Sequence, residues 1–313
     1  MRPTNEAGAA DAAASARLRM GIALRAVFQS EAWLGAHAGL FSRLGIDLTF
    51  PAIATGGPAA MAGALRGDWD VCHTGALPIM QGVLRGEDPV LLITPTELHE
   101  AVFVMARREF TTLAQLAGQR IGAVDASGQF GRPLKILLEQ SGIDAEMLSL
   151  GSFQAIDTAL TKGEIAAGYL PIDLRFRGEA EHGWNALTGL PIVGGIATTR
   201  RFIAAHRPLV AGFVKGVVDA IHLFKTRPDI VIPLLQQFLE IAEREPMERL
   251  HAFYAPLFRA VPTPTFFTEM DGLREGLAGQ YPAARTLGIE DVADASFVEE
   301  LEGSGYVDEL YSG

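Results

Sequence analysis

A single cysteine, Cys72, stands in a chain of 313 residues. One thiol excludes an intrachain disulfide and any zinc site built on several cysteines. Positive charge is also scarce: 26 Lys and Arg against 37 Asp and Glu leave a formal net charge of -11. Nucleic-acid surfaces rest on clustered Lys and Arg, so this balance argues against a nucleic-acid partner, and an acidic surface does not suit anionic membranes. No apolar run reaches the roughly 18 residues needed to span a bilayer. Solenoid repeats are absent, and so is low complexity beyond an alanine-rich opening. What is present is a hydrophobic share of 49% with 20% charged residues. That is the balance of a soluble globular protein, long enough for two compact lobes or one large α/β domain.

Residues 1–17, MRPTNEAGAADAAASAR, scatter Pro3, Asn5, Glu6 and Asp11 among alanines and contain no long apolar core. The stretch does not read as a secretory signal, and a disordered lead-in is expected. As written the chain is cytoplasmic. It is periplasmic if an export signal was removed or the start codon mis-assigned.

From Leu18 strands and helices alternate. Leu18–Leu24 reads as a strand, 30–43 as a helix ending before Gly45, and Ile46–Phe50 as a strand closed by Pro51. A turn, ATGGP, opens the helix Ala59–Leu65, with Pro58 where a missing N–H is harmless. Trp69–Cys72 reads as a strand, His73–Gly75 as a turn and Ala76–Leu84 as a helix. Pro89–Thr94 reads as a strand buried on both faces of a parallel sheet. A second series starts with Ala101–Met105 and continues through a helix at Phe153–Leu160 and a strand at Gly163–Leu170. Ile192–Thr199 then leads back out, and from Arg200 the chain is helical, with a long amphipathic helix over Pro208–Lys225.

Repeated βα units predict parallel sheets covered by helices, with ligands beyond the carboxyl ends of the strands. Three such ends in the first unit, 27–30, 55–57 and 73–75, should converge. In the second unit the stretch QRIGAVDASGQFGRPLK, 119–135, runs strand, turn, helix. The helix start offers backbone N–H groups to a polar ligand group, and the glycines permit close approach. The same turn equally serves as a connection capped by Asp125 or Ser127.

The ordered set of motifs carries a resemblance. AGLF at 38–41 with GIDL at 45–48, GDWDV at 67–71 with Gly75, LAQLAGQRIGAV at 113–124, and Ala159-Leu160 with GEIAA at 163–167 and Pro171 resemble the solute-binding proteins of nitrate, sulfonate, taurine and thiamine-precursor ABC transporters. The likeness runs from Leu18 to about Leu239. It implies an α/β chain of the type II periplasmic-binding-protein fold: two α/β lobes joined by a two-crossing hinge, with a helical C-terminal extension. Lobe 1 is expected over 18–97 and 195–313 and lobe 2 over 98–194. Enzymes share this fold, among them the pyrimidine-precursor synthase of thiamine biosynthesis and an aryl-sulfinate desulfinase. The synthase's cofactor lysine falls on Thr74 here, and its iron-binding cysteine cluster has no counterpart. At the desulfinase's nucleophilic cysteine this chain has Gln29 and Ser30. Both activities are therefore disfavoured.

The expected function is binding of a small organic ligand (a sulfonate, an aromatic acid or a pyrimidine-like ring) and its delivery to an ABC permease. The expected lining is Phe28, Gln29, Ser30, Thr55, Gly57 and Thr74 from lobe 1, with Ser127, Gly128, Gln129, Phe130 and Asp173 from lobe 2. Phe28 and Phe130 suit stacking on a planar ligand, and equally suit the core. Arg25 and Arg132 are the nearest cations for an anionic ligand. No metal and no cofactor is expected. The alternatives are a cytosolic ligand sensor, or a cytosolic lyase or decarboxylase of a small aromatic acid with His73, His99 or Asp125 in acid-base roles. Adjacent strand residues point to opposite faces, so Cys72 and His73 are poorly placed as a nucleophile and its base.

Overall fold

The alternation of strands and helices folds into two sheets of five strands each. The computed structural model of the chain describes residues 15–54, 56–96, 102–126, 131–190, 194–265 and 270–312. In the first sheet β1 (Ala16–Ile22), β2 (Ile46–Ile53) and β3 (Val71–Gly75) are parallel. The order is completed by β4 (Pro89–Ile93) as β2-β1-β3-β10-β4, with β10 (Gly194–Thr199) antiparallel to both β3 and β4. The second sheet repeats the plan as β7-β6-β8-β5-β9. Here β6 (Arg120–Ala123) runs parallel to β7 (Glu146–Ser149) and β8 (Ala167–Pro171). The strand β5 (Val102–Ala106) is antiparallel to β8 and to β9 (Asn185–Leu190). The chain thus passes between the sheets twice, after β4 and after β9.

Helices cover both sheets. On the first are α1 (Glu31–His37), α2 (Leu40–Arg43), α3 (Gly57–Arg66) and α4 (Ala76–Leu84). On the second are α5 (Arg132–Gln140), α6 (Phe153–Thr161) and α7 (Ile172–Arg177). The C-terminal part is helical: α8 (Arg200–Thr226), α9 (Pro228–Leu239), α10 (Arg244–Tyr254), α11 (Met270–Ala278), α12 (Ile289–Val292), α13 (Ser296–Gly303) and α14 (Tyr306–Ser312). It packs back on the first sheet's layers, with α8 on α1, α9 on α1 and α12 on α4. Along β3, period-two alternation sends Val71 into the core shared with Leu18, Phe41 and Phe213, and Cys72 into a second core with Met61, Trp69 and Leu91. Trp69 fits that second core because Gly21 and Gly63 leave room. A Cβ on either would lie 2.5 or 2.1 Å from the indole.

Several expected elements differ. His73–Gly75 is not a turn: β3 runs through it because β10 returns antiparallel, pairing Gly195 with Thr74 and Ile196 with His73. For the same reason β4 has only the antiparallel β10 as a ladder partner among the described strands, with a single parallel bridge from Leu91 to Ala293 on its other side. Pro51 does not close β2. As an edge strand β2 needs ladder bonds on one side only, and its register with β1 slips between Thr49 and Ala52, where a proline is tolerated. The helix expected over 30–43 is two, parted at Gly39, whose φ of 77° is left-handed. The long helix starts at Arg200 rather than Pro208. Thr199 caps it by accepting from Phe202 N, and a kink at His206 precedes the proline. The edge strands β7 and β9 are additions to the sequence reading.

Candidate functional site

Parallel strands bring their carboxyl ends to one edge, and three loops leave the first sheet there. After β1 the chain turns back on itself. Gln29 Oε1 accepts from Leu24 N at 2.9 Å, and Ser30 Oγ donates to Val27 O at 2.7 Å. This shapes the short 3-10 turn Val27–Gln29 that leads into α1. The loop after β2 is bonded to the first, Ala54 N to Ile22 O at 2.7 Å and Gly56 N to Ala23 O at 3.2 Å. At the end of β3, Thr74 Oγ1 donates to Gly57 O at 2.9 Å. Phe28, Gln29, Ser30, Gly57 and Thr74 therefore meet at one edge, all of them buried. Thr55, His99 and residues 127–130 (Ser127, Gly128, Gln129 and Phe130) lie outside the described residues.

The third loop reaches the first through a pair of side chains. Glu31, in the first turn of α1, is fully buried, and its Oε1 lies 2.6 Å from His73 Nε2, itself buried on β3. Cys72 points the other way, into the second core, where burial pushes its thiol pKa up. A reactive thiolate is thereby disfavoured.

On the second lobe Asp125 follows β6. Gly131, at the start of α5, lies so near the turn that a Cβ would come within 2.2 Å of Asp125 O. Ala126 N donates to Ser149 Oγ at 3.0 Å, tying this turn to β7. Asp173 sits in the first turn of α7, directly after β8. Its carboxyl is pushed up to about 6, first by burial and further by Asp157, against the lowering influence of its own and Leu174's backbone N–H groups and of Arg177. Arg177 is ion-paired with Asp157.

The lobes also touch. Phe176 of α7 meets Phe253 of α10 edge-on, with centroids 6.2 Å apart, and the Arg249 guanidinium lies 4.8 Å from the Phe176 ring centre. Burial raises the pKa of Tyr254 at the end of α10, and the charge of Asp173 raises it further. On the opposite side Arg132 Nη2 donates to Gly276 O of α11. The two arginines singled out from the sequence are thus held by the C-terminal helices: Arg25 donates to Phe238 O at 2.9 Å and pairs with Glu240.

No group of three metal-ligating side chains occurs among the described residues, and no described helix is long and apolar enough to cross a membrane. A groove of about 570 Å³ runs between α3 and α4, but its arginines are already paired, Arg66 with Asp68, Arg85 with Glu87 and Arg201 with Asp88. Sequence reasoning missed Glu31 and Tyr254. A glutamate in a first helical turn reads as a complement to the helix dipole, and a tyrosine of the helical tail carries no sign of reaching the other lobe.

No protein-family profile matches the chain, and no curated protein does. Solved structures do. A protein of Bordetella bronchiseptica RB50 superposes with a TM-score of 0.77 at 14% identity, covering 95% of this chain and 98% of that one. The alkanesulfonate-binding protein SsuA of Xanthomonas axonopodis pv. citri, bound to MOPS, gives 0.69 at 20% identity over 88% and 96%. A point mutant of DSZB in complex with biphenyl-2-sulfinic acid gives 0.64 at 16% identity over 92% and 99%. At these identities the likeness shows the fold, that of the two-lobed periplasmic binding proteins.

Proposed function

We propose that this chain is a solute-binding protein whose lobes close on a small organic molecule and hand it to the permease of an ABC transporter. The observation that carries the reading is the edge at which three loops of the first sheet are bonded together, with α10 touching both that edge and α7 of the second sheet's layer. Such an edge supplies a few fixed polar groups among apolar walls, the usual make-up of a small-molecule site. On this reading lobe 1 comprises 18–97 and 195–313 and lobe 2 comprises 98–194. Phe28, Gln29, Ser30, Thr55, Gly57 and Thr74 face residues 127–130 and Asp173 across the cleft. The likeness to SsuA supports this role, and the likeness to the periplasmic aliphatic sulphonate binding protein of Escherichia coli favours the periplasm as the compartment. Sulfonates, aromatic acids and pyrimidine-like rings are the ligand classes to screen.

Native mass spectrometry of the purified chain, followed by small-angle scattering with and without the recovered molecule, tests the reading. A stoichiometric adduct and a smaller radius of gyration on binding are expected. The reading fails if the chain holds nothing and keeps one radius throughout a panel of those three classes.

One observation favours a second reading, an enzyme on this fold. His73 against Glu31 has the form of a base and its orienting carboxyl. Cys72 faces the opposite core and does not complete the set as a nucleophile. Turnover of a bound aromatic acid, lost on His73→Gln, would favour this alternative.

A further inference from the structure

A buried carboxyl is costly unless its oxygens are hydrogen-bonded, and one left unpaired in a folded protein points to an unseen partner. Glu31 is such a group. It has no exposed surface, and neither of its oxygens has a hydrogen-bond partner among the described residues; His73 Nε2 approaches Oε1 to 2.6 Å as an ion-pair contact and is itself without a hydrogen bond there. The pair spans two of the three strand ends at the interlobe edge. It lies beside the 3-10 turn Val27–Gln29, which itself touches α10. Simple packing needs neither group, because Ser30 and apolar neighbours such as Ala32 and Leu34 already seat α1.

The cations around this edge bear on the ligand's charge. Arg25 is held by Phe238 O and Glu240, and Arg132 by Gly276 O. Arg175 pairs with Glu179 over the Phe103 ring, and Arg177 pairs with Asp157. A sulfonate or carboxylate calls for a cation able to turn toward it. Each of these arginines already has a partner, whereas a buried acceptor waits at Glu31.

We propose that Glu31 and His73 form the polar recognition pair of the ligand site, and that the ligand presents an N–H donor, from an amine, an amidine or a ring nitrogen, to Oε2 of Glu31. The imidazole stays within ion-pair distance of Oε1, and the ligand satisfies the second oxygen. The inference rests on the ligand-binding reading and narrows its ligand classes to molecules that present an N–H donor. Because both side chains are buried, a ligand reaches Oε2 only when the structure around the pair opens.

Calorimetric titration of the full chain with benzylamine, benzamidine and 4-aminopyrimidine, set against benzenesulfonate, taurine and MOPS, tests the proposal. At least one N–H donor without an anionic group is expected to bind, and Glu31→Gln should weaken it about ten- to a hundredfold, the loss of a hydrogen bond to a charged group. The circular dichroism of the unliganded variant should be unchanged. If that variant fails to fold, the side-chain carboxyl ¹³C resonance of Glu31 in the wild-type chain replaces it, and should move on adding the donor. A sulfonate that binds wild type and Glu31→Gln alike overturns the N–H assignment and leaves the binding reading standing. If no probe of either set binds and no ligand co-purifies, both fall.

Discussion

Gly131 shows how the close approach of two backbone segments restricts a single residue. Its φ of -108° suits any residue, but a Cβ there would lie 2.2 Å from Asp125 O and 2.5 Å from Ala126 Cα. Gly131→Ala must open the turn, at a cost of about 1–3 kcal/mol. The expected outcome is a lower urea midpoint with an unchanged slope, and a wild-type midpoint would mean the turn has room to relax. Asp173 gives a pH-dependent counterpart. Its carboxyl goes from 3.8 up to about 6 on folding, so the folded state binds the proton more tightly than the unfolded chain. That contribution to stability is complete below about pH 4 and is lost as pH rises through about 6. Asp173→Asn should therefore match wild type near about pH 4 and gain up to about 3 kcal/mol by about pH 7.5, less whatever solvent screens. Denaturation at the two pH values checks the sign, and a gain confined to acid would refute it. The glycine of this turn was legible from the local string DASGQFGRP. The pairing of Glu31 with His73 was not, because it joins a helix start to a strand from another loop and neither residue's neighbours hint at the other.

Among the elements, those with their own apolar pattern were legible and those defined by a partner were not. β1, β4, β5 and β8 are apolar runs, and the sequence reading finds each. The sequence pattern ends β3 at Cys72, because its last three residues, His73, Thr74 and Gly75, carry no strand pattern. What makes them a strand is β10, more than a hundred residues later in the chain. The half-exposed edge strands β7, EMLS, and β9, NALTGL, show little alternation and gain their form from β6 and β5. The start of α8 is a similar case, since Arg200 and Arg201 read as a solvated pair. The cap is buried Thr199, which accepts from Phe202 N at 3.3 Å, while Arg201 is fixed by Asp88. Thr199→Ala should cost about 1 kcal/mol, the usual worth of an N-cap, with Thr199→Ser recovering most of it. Hydrogen exchange at Phe202 N should quicken in the alanine variant. Unchanged exchange there would mean that Arg201 and Asp88 alone hold the helix start.

For the whole molecule, the two crossings join the sheets covalently, and α7 of the second sheet's layer meets α10 of the C-terminal helices. An edge-on aromatic pair is worth about 0.5–1.5 kcal/mol and a cation over a ring about 0.5–1 kcal/mol. Phe176 takes part in both, with Phe253 and with Arg249. Removing its ring should thus shift the balance between closed and parted lobes by about 1–2.5 kcal/mol, roughly five- to seventyfold. Each lobe's own core would be left nearly intact, because Phe176 is only half-buried. Phe176→Ala should accordingly raise the radius of gyration of the unliganded chain in small-angle scattering, while its thermal midpoint falls by only a few degrees. It should also weaken any ligand that requires closure, by up to that factor, since opening the site reduces the fraction competent to bind. Arg249→Ala removes one of the two contacts and should lie between wild type and Phe176→Ala in both measurements. If the radius stays fixed in Phe176→Ala while stability drops by several kcal/mol, the ring belongs to a rigid core, and the α7–α10 contact is no part of a closing motion.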